Sequence, residues 1–423
     1  MYTKVKNKFQ AKRSLLRLCT FTILFAIIMY IAVAAALQAV GNSSIKNTRT
    51  SANYVTEQQM KLANPWIDMD ESALYRVMCK AQNGQKVTIA FIGGSITKGT
   101  VSKGTKDDTF QNKLTYVDYF SNWWYEKFPK ADLHFINAGI GATDSYLGVH
   151  RVQKDVLDQK PDLVVVEFAV NDEKTFYHKQ SYENLVRKIL AADSKPAVML
   201  LFMSRLNGKN CQVQQSEIGK HYNLPMVSYA NVIKDMVNHQ IYTAEDLSGD
   251  GIHPSLLGYA VAGEILVKYL DGIWKKSPEQ IISKSAPSSY VTSPKYNSAK
   301  LLTCKDIQIK NMGTFHTSKK SRIFKHSLTC HNGNGDLVFT VDCKNFGLLY
   351  AKQTNGRAGQ FDIYVDDAKA KTINADFSKG RHRFPDAVPC YSSSEKKTHT
   401  IRIVKNPDST GHELTIFGIL TSD

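Results

Sequence analysis

The sequence predicts a doubly wound α/β domain, its parallel sheet covered by helices on both faces, followed by an all-β sandwich and preceded by one membrane-spanning helix. Three observations carry this. Between about residues 65 and 275, apolar β-type runs alternate with amphipathic segments of helical length. Beyond residue 300 the pattern becomes short alternating strands punctuated by Gly, Asn and Asp. Near the N-terminus, an apolar run of 23 residues carries no charge.

That run, Leu18 to Val40, is long enough at about 1.5 Å per residue to cross a bilayer. Lys4, Lys6, Lys8, Lys12, Arg13 and Arg17 precede it and no acid appears before Glu57. The positive-inside rule then leaves residues 1–17 as a cytoplasmic tail and everything after about residue 41 outside. A cleaved signal peptide is the competing reading, because Ala32-Val33-Ala34 offers a cleavage-like site. Signal cores, however, usually run only about 7 to 15 residues. The expectation is a single-pass anchor in the cell membrane, with the folded part extracytoplasmic. Residues 41–64, rich in Ser, Asn, Thr and Gln, read as a stalk.

The formal charge of +16 falls to +10 without the six basic residues of the tail. No long Lys/Arg run, zinc-finger spacing or aromatic RNA-binding motif remains, so nucleic acid is not expected as a partner. The six cysteines after the anchor (Cys79, Cys211, Cys304, Cys330, Cys343, Cys390) lack CxxC spacing, which argues buried thiols or one or two disulfides over a metal site.

The first domain, residues 65–275, opens with a helical segment at Glu71–Gln85. Val87–Ile92 is a buried strand stopped by Gly93-Gly94, and further strands are expected at Leu133–Asn137, Leu163–Val170, Ala197–Met203 and, more weakly, Met226–Tyr229. Helices are expected at Tyr116–Phe128, Tyr146–Leu157, Tyr182–Ala192, Gln212–Tyr222 and Leu256–Leu270. Such alternation means parallel strands joined by right-handed crossovers. Residues 276–300, rich in Ser, Pro and Lys, read as a linker. In residues 301–423, strands at Leu337–Asp342, Gly347–Ala351, Gln360–Val365, Thr398–Val404 and Glu413–Ile419 argue the sandwich.

In open α/β sheets ligands bind beyond the carboxyl ends of the strands, and three strand ends here carry suggestive residues. Strand one runs into Gly93-Gly94-Ser95-Ile96-Thr97, where a serine on a tight turn exposes its hydroxyl and its own N–H. Strand two ends in Asn137-Ala138-Gly139-Ile140-Gly141-Ala142-Thr143, small residues whose N–H groups a ligand can approach. Strand three ends in Val170-Asn171-Asp172, whose amide is a further donor, and together these would make an oxyanion hole. Asp250-Gly251-Ile252-His253-Pro254 precedes the last helix, and across three residues a carboxylate can fix the tautomer of a general base. Taken singly, each piece reads as turn or cap geometry.

Together, and in this order, they resemble the sequence blocks of the SGNH (GDSL-like) hydrolase superfamily over about residues 85–270. The resemblance implies a flavodoxin-like fold with Ser95 as nucleophile, His253 as base and Asp250 orienting His253. The oxyanion would be held by Ser95 N–H, a backbone N–H of Gly141 or Ala142, and the Asn171 side chain. Two departures stand out: the usual Asp before the nucleophile is Gly94, and a common Gly-Gly pair is Gly141-Ala142. The last domain is loosely similar to jelly-roll carbohydrate-binding modules of bacterial carbohydrate esterases.

The resulting expectation is a cofactor-free, metal-free serine esterase removing O-acyl groups, O-acetyl above all, from an extracellular or envelope glycan. An O-acetyltransferase of cell-wall or capsular polysaccharide would use the same residues. A non-catalytic glycan-binding surface protein is the alternative from another class.

Overall fold

The computed structural model describes residues 53–423 apart from 319–320, 322 and 378–382. The apolar run 18–40 lies outside them, and among the described residues no helix is long and apolar enough to cross a membrane. Residues Tyr54–Asp423 form one compact unit.

Its first part alternates as the sequence predicts: α1 (Glu57–Ala63), α2 (Ser72–Gln82), β1 (Lys86–Gly93), α3 (Ser95–Lys98), α4 (Tyr116–Lys127), β2 (Asp132–Gly139), α5 (Ser145–Asp155), β3 (Leu163–Glu167), α6 (Phe176–Leu190), β4 (Ala197–Phe202), α7 (Gln212–His221), β5 (Met226–Ser228), α8 (Tyr229–Asn238), α9 (Ala244–Leu247) and α10 (Leu256–Trp274). The five strands are all parallel and run in the order β2-β1-β3-β4-β5. The chain reverses direction across the sheet between β1 and β3, and a crevice opens at such a switch point beyond the carboxyl ends.

Strand pleating divides the core in two. Val87, Ile89 and Phe91 of β1 and Leu163 and Val165 of β3 face one layer, with Phe120, Trp124 and Leu266. Ala90, Ile92, Val164 and Val166 face the other, with Leu147, Val152 and Leu185. Side chains on both faces are apolar because helices cover both.

Three differences from the sequence reading have local causes. Strand β3 stops at Glu167 instead of continuing to Val170, because Phe168 C=O accepts from the N–H of Asn171 and of Asp172, turning the chain. Helix α6 starts six residues before the expected Tyr182, where the Thr175 hydroxyl caps it by accepting from His178 N–H. Residues 57–63, inside the polar stretch after the apolar run, form α1, closed by a capping box of Thr56 and Gln59 and anchored by the buried Val55 and Ala63.

The second part is antiparallel: β6 (Lys300–Leu302), β7 (Gln308–Asn311), β8 (His316–Ser318), β9 (Ser327–Cys330), β10 (Leu337–Lys352), β11 (Gln360–Val365), β12 (Ala368–Asn374), β13 (Phe384–Lys405) and β14 (Leu414–Ser422). Strand order is β12-β11-β13-β10-β14-β9-β8, with β6 on β14 and β7 on β10. The strands expected separately at Leu337–Asp342 and Gly347–Ala351 are one long strand, β10, with irregular register at Cys343/Asn345 and Phe346/Gly347 against β13. All six described cysteines are free thiols.

The two parts share a core. Leu349, Ala351, Phe417 and Leu420 pack in the same apolar layer as Tyr146, Val149 and Val152 of α5. The segment between them is strapped down: the Glu183 carboxylate accepts from Val291 N–H, Thr292 N–H and Thr292 hydroxyl, while Asn184 Nδ2 donates to Ser293 C=O and its Oδ1 accepts from Tyr296 N–H.

Candidate active site

Beyond the carboxyl ends of the strands, Ser95, His253 and Asp250 stand in one hydrogen-bonded line. Ser95 Oγ lies 2.9 Å from His253 Nε2, and His253 Nδ1 lies 2.7 Å from Asp250 Oδ2. The other Asp250 oxygen accepts from the N–H of Ile252 at 2.9 Å and of His253 at 2.7 Å. Gly251 makes this tight turn possible at φ +73°, a backbone region glycine enters freely. Partial burial pushes the Asp250 carboxyl upward, but bonds from the His253 ring and from these two N–H groups outweigh it and hold the pKa below the usual value. An ionised Asp250 keeps the proton of His253 on Nδ1, leaving Nε2 free to accept from Ser95.

The turn bearing Ser95 is held from several directions. Asn137 Nδ2 donates to Thr97 C=O at 2.8 Å, Tyr259 hydroxyl donates to Ile96 C=O at 2.9 Å, and Tyr116 hydroxyl donates to Thr97 Oγ1 at 2.9 Å. Arg151, fully buried on α5, donates to Gly93 C=O at 3.1 Å and Ala138 C=O at 2.7 Å, pinning the ends of β1 and β2 together, with Asp155 as its counter-ion. The histidine loop has its own staple. Ser102 hydroxyl donates to His253 C=O at 2.5 Å and accepts from Gly249 N–H at 3.0 Å, while Ser102 N–H donates to Pro254 C=O at 3.0 Å.

The expected oxyanion donors gather beside Ser95. A methyl added at Gly141 would stand 3.9 Å from Ser95 Cβ, so this glycine faces the nucleophile. Ala142 adopts φ +59°, a left-handed conformation that suits the glycine usual in similar sequences and strains an alanine. The Asn171 amide abuts Gly94, where an added Cβ would meet Asn171 Oδ1 at 2.2 Å. In this structure a side chain at position 94 has no room unless the Asn171 amide moves. Next to it, buried Asp172 accepts from Ser145 N–H at 2.8 Å and from Gln215 Nε2 at 2.9 Å, locking the loop after β3 to the start of α5.

Two buried acids here keep their protons far above the usual carboxylate range. Burial and then the Asp172 charge push Glu167 up to about 8. Burial pushes Asp172 up to about 7, against the charge of nearby His178. The sequence reading picked out neither Glu167 nor Arg151 and Ser102, and gave Thr97 no role of its own. For Glu167 a signal existed, a lone acid inside the apolar run Leu163–Val170.

Residues 91–261 match the GDSL-like Lipase/Acylhydrolase family. Two solved structures resemble nearly the whole chain. A two-domain esterase (CEX) active on acetylated mannans is 26% identical, with a TM-score of 0.77, covering 86% of this chain and 98% of that one. The same esterase co-crystallized with mannopentaose is 27% identical, with a TM-score of 0.74, covering 84% and 95% respectively. No curated protein matches. With a parallel 2-1-3-4-5 sheet, a serine at the end of its first strand and a matching family profile over that region, the α/β domain belongs to the GDSL-like (SGNH) hydrolases, and the chain is a serine esterase.

Proposed function

We propose that the protein removes O-acyl groups, chiefly O-acetyl, from an extracellular or cell-envelope glycan through an acyl-enzyme on Ser95. The observation that carries this reading is the line Ser95–His253–Asp250, with contacts of 2.9 and 2.7 Å, set beside the Gly141–Ala142 and Asn171 turns. Similarity to an esterase active on acetylated mannans, extending through both domains, supports the substrate class.

In the first half-reaction Ser95 Oγ attacks the acyl carbon while His253 Nε2 takes the serine proton. The tetrahedral oxyanion is held by Ser95 N–H, a backbone N–H of Gly141 or Ala142, and Asn171 Nδ2. Collapse breaks the carbon–oxygen bond to the sugar, whose departing oxygen takes the proton from His253 and leaves as a hydroxyl. Water, deprotonated by His253, then attacks the acyl-serine; collapse breaks the bond to Ser95 Oγ, which takes the proton back from His253, and the carboxylic acid leaves and ionises. Asp250 stays ionised throughout, stabilising the imidazolium.

The antiparallel domain is read as a jelly-roll-like module that presents the glycan. The run 18–40, read as an uncleaved anchor, places the enzyme on the outer side of the membrane. Anchoring is tested by fractionation: full-length protein should sediment with membranes, whereas a chain beginning near residue 41 in the medium would replace the anchor with a cleaved signal.

The decisive experiment is acetate release from acetylated mannan and other acetylated polysaccharides, with Ser95→Ala as control. Wild type should release acetate, and Ser95→Ala should lose about 10³-fold or more while remaining folded. An active Ser95→Ala, or long-chain ester preference without acetate release, overturns the reading.

A further inference from the structure

We propose that Glu167 is a positioning residue of this esterase: it joins the turn presenting Ser95 to the turn presenting Asn171, and loss of its carboxyl proton disables the site. The inference rests on the roles given above to Ser95 and Asn171.

Glu167 ends β3, fully buried and paired in register with Gly93, the residue two before Ser95. Its Oε2 lies 3.5 Å from Thr97 Oγ1, on the short helix that Ser95 begins. Gly93 leaves the space for this contact, since an added Cβ would sit 2.0 Å from Thr97 Oγ1 and 2.5 Å from Glu167 C=O. On its other side Glu167 leads directly into the turn closed by Phe168 C=O on the N–H groups of Asn171 and Asp172, the turn that delivers Asn171. One residue therefore joins both halves of the catalytic face, its side chain against the Ser95 helix and its backbone running into the Asn171 turn.

Its surroundings suit an acid that keeps its proton. The groups facing it are Asp172 from the same loop, Tyr116 of α4, Tyr182 of α6 and Tyr259 of α10, none of them a cation. Arg151 reaches Gly93 C=O from α5, but it is engaged with Asp155. Among the described residues no ion pair reaches Glu167, and its Oε1 lacks a hydrogen-bond partner, as do the buried Tyr182 hydroxyl and Asn171 Oδ1. Burial and the Asp172 charge hold the carboxyl up to about 8, against the weaker pull of Ala169 N–H, Val170 N–H and Thr97 hydroxyl.

An unpaired carboxylate in this core would draw donors or water toward itself and shift both turns. Its charge would also oppose the oxyanion that the same turns stabilise. A neutral amide of the same shape avoids both effects.

The test measures kcat and KM on p-nitrophenyl acetate from pH 6 to 10 for wild type, Glu167→Gln and Glu167→Ala, subtracting spontaneous hydrolysis. Near-UV circular dichroism at each pH establishes that the protein is folded. Wild-type kcat should fall about tenfold per pH unit above about pH 8, reversibly and with little change in KM. Glu167→Gln should stay within about threefold of wild type at pH 7 and lack the alkaline fall, while Glu167→Ala should lose about tenfold in kcat throughout. A Gln variant with the wild-type alkaline fall, or a wild type without one, overturns the proposal even if Glu167→Ala does not fold. Ser95→Ala separates the two readings: if it is inert while the alkaline fall persists in Glu167→Gln, only the role of Glu167 is lost.

Discussion

Asp250 grips His253 twice, accepting from its ring Nδ1–H and from its backbone N–H, each at 2.7 Å. An asparagine can still accept from the backbone, but its amide nitrogen would face Nδ1 and favour the wrong tautomer. Asp250→Asn should therefore lower kcat by roughly 10²- to 10³-fold, less than His253→Ala, with the loop and thermal stability nearly unchanged. Equal losses in the two variants would show that Asp250 does more than orient the ring.

The depressed pKa of Asp250 fixes the sign of its effect on stability. The stability it contributes is present above the unfolded carboxylate value of 3.8 and is lost as pH falls through the lower folded value. Glu167 and Asp172 act oppositely: raised to about 8 and about 7, they make folding less favourable as pH rises from their unfolded values toward those figures. Chemical denaturation at pH 5 and pH 8 should show Glu167→Gln gaining relative to wild type at the higher pH. Parallel behaviour at both pH values would mean that Glu167 is ionised in the folded protein.

Restoring the residue usual in similar sequences should be harmful here. At Gly94→Asp the new Cβ would meet Asn171 Oδ1 at 2.2 Å, and the mobile partner is the amide side chain. The variant should fold, yet lose about 10²-fold or more in kcat as Asn171 is displaced from the oxyanion. Wild-type turnover in Gly94→Asp would remove Asn171 from the machinery.

The neighbouring loop gives a contrasting pair. Ala142→Gly relieves a left-handed alanine at φ +59° and keeps the N–H, so activity should hold and stability rise by about 0.5–1 kcal/mol in urea unfolding. Gly141→Ala places a methyl 3.9 Å from Ser95 Cβ, where the acyl group must enter, so kcat/KM should fall with stability unchanged.

Ser102 never touches substrate in this scheme. Ser102→Ala removes the donor to His253 C=O and the acceptor for Gly249 N–H, two bonds that hold the histidine loop in place. The expected result is a loss of about tenfold in kcat with unchanged KM, because only the seating of His253 is loosened. A change confined to KM would assign Ser102 to substrate binding instead.

These residues also mark how far the sequence is legible. Ser95, Asn171, Asp250 and His253 are readable because turn-forming neighbours frame them and because their spacing along the chain reflects spacing at strand ends. Most helices and strands are readable because their apolar period matches the layers they bury. Ser102, Arg151 and Glu167 act on partners 151, 58 and 70 positions away, so only the fold shows what they hold. The first six residues of helix α6 are hard to read for a different reason: the helix begins on the exposed Phe176, and its buried stripe is established only further along.

The shared apolar layer across Tyr146, Leu349 and Phe417 makes the antiparallel domain a poor candidate for an interchangeable cassette. Excising it after about residue 276 would leave α5 presenting Tyr146, Val149 and Val152 to water and would free Glu183 from its straps. The truncated enzyme is thus expected to aggregate before its chemistry can be assayed. Its substrate range should diversify by changes in the loops at the strand ends, while the partner domain stays the one with which it folds.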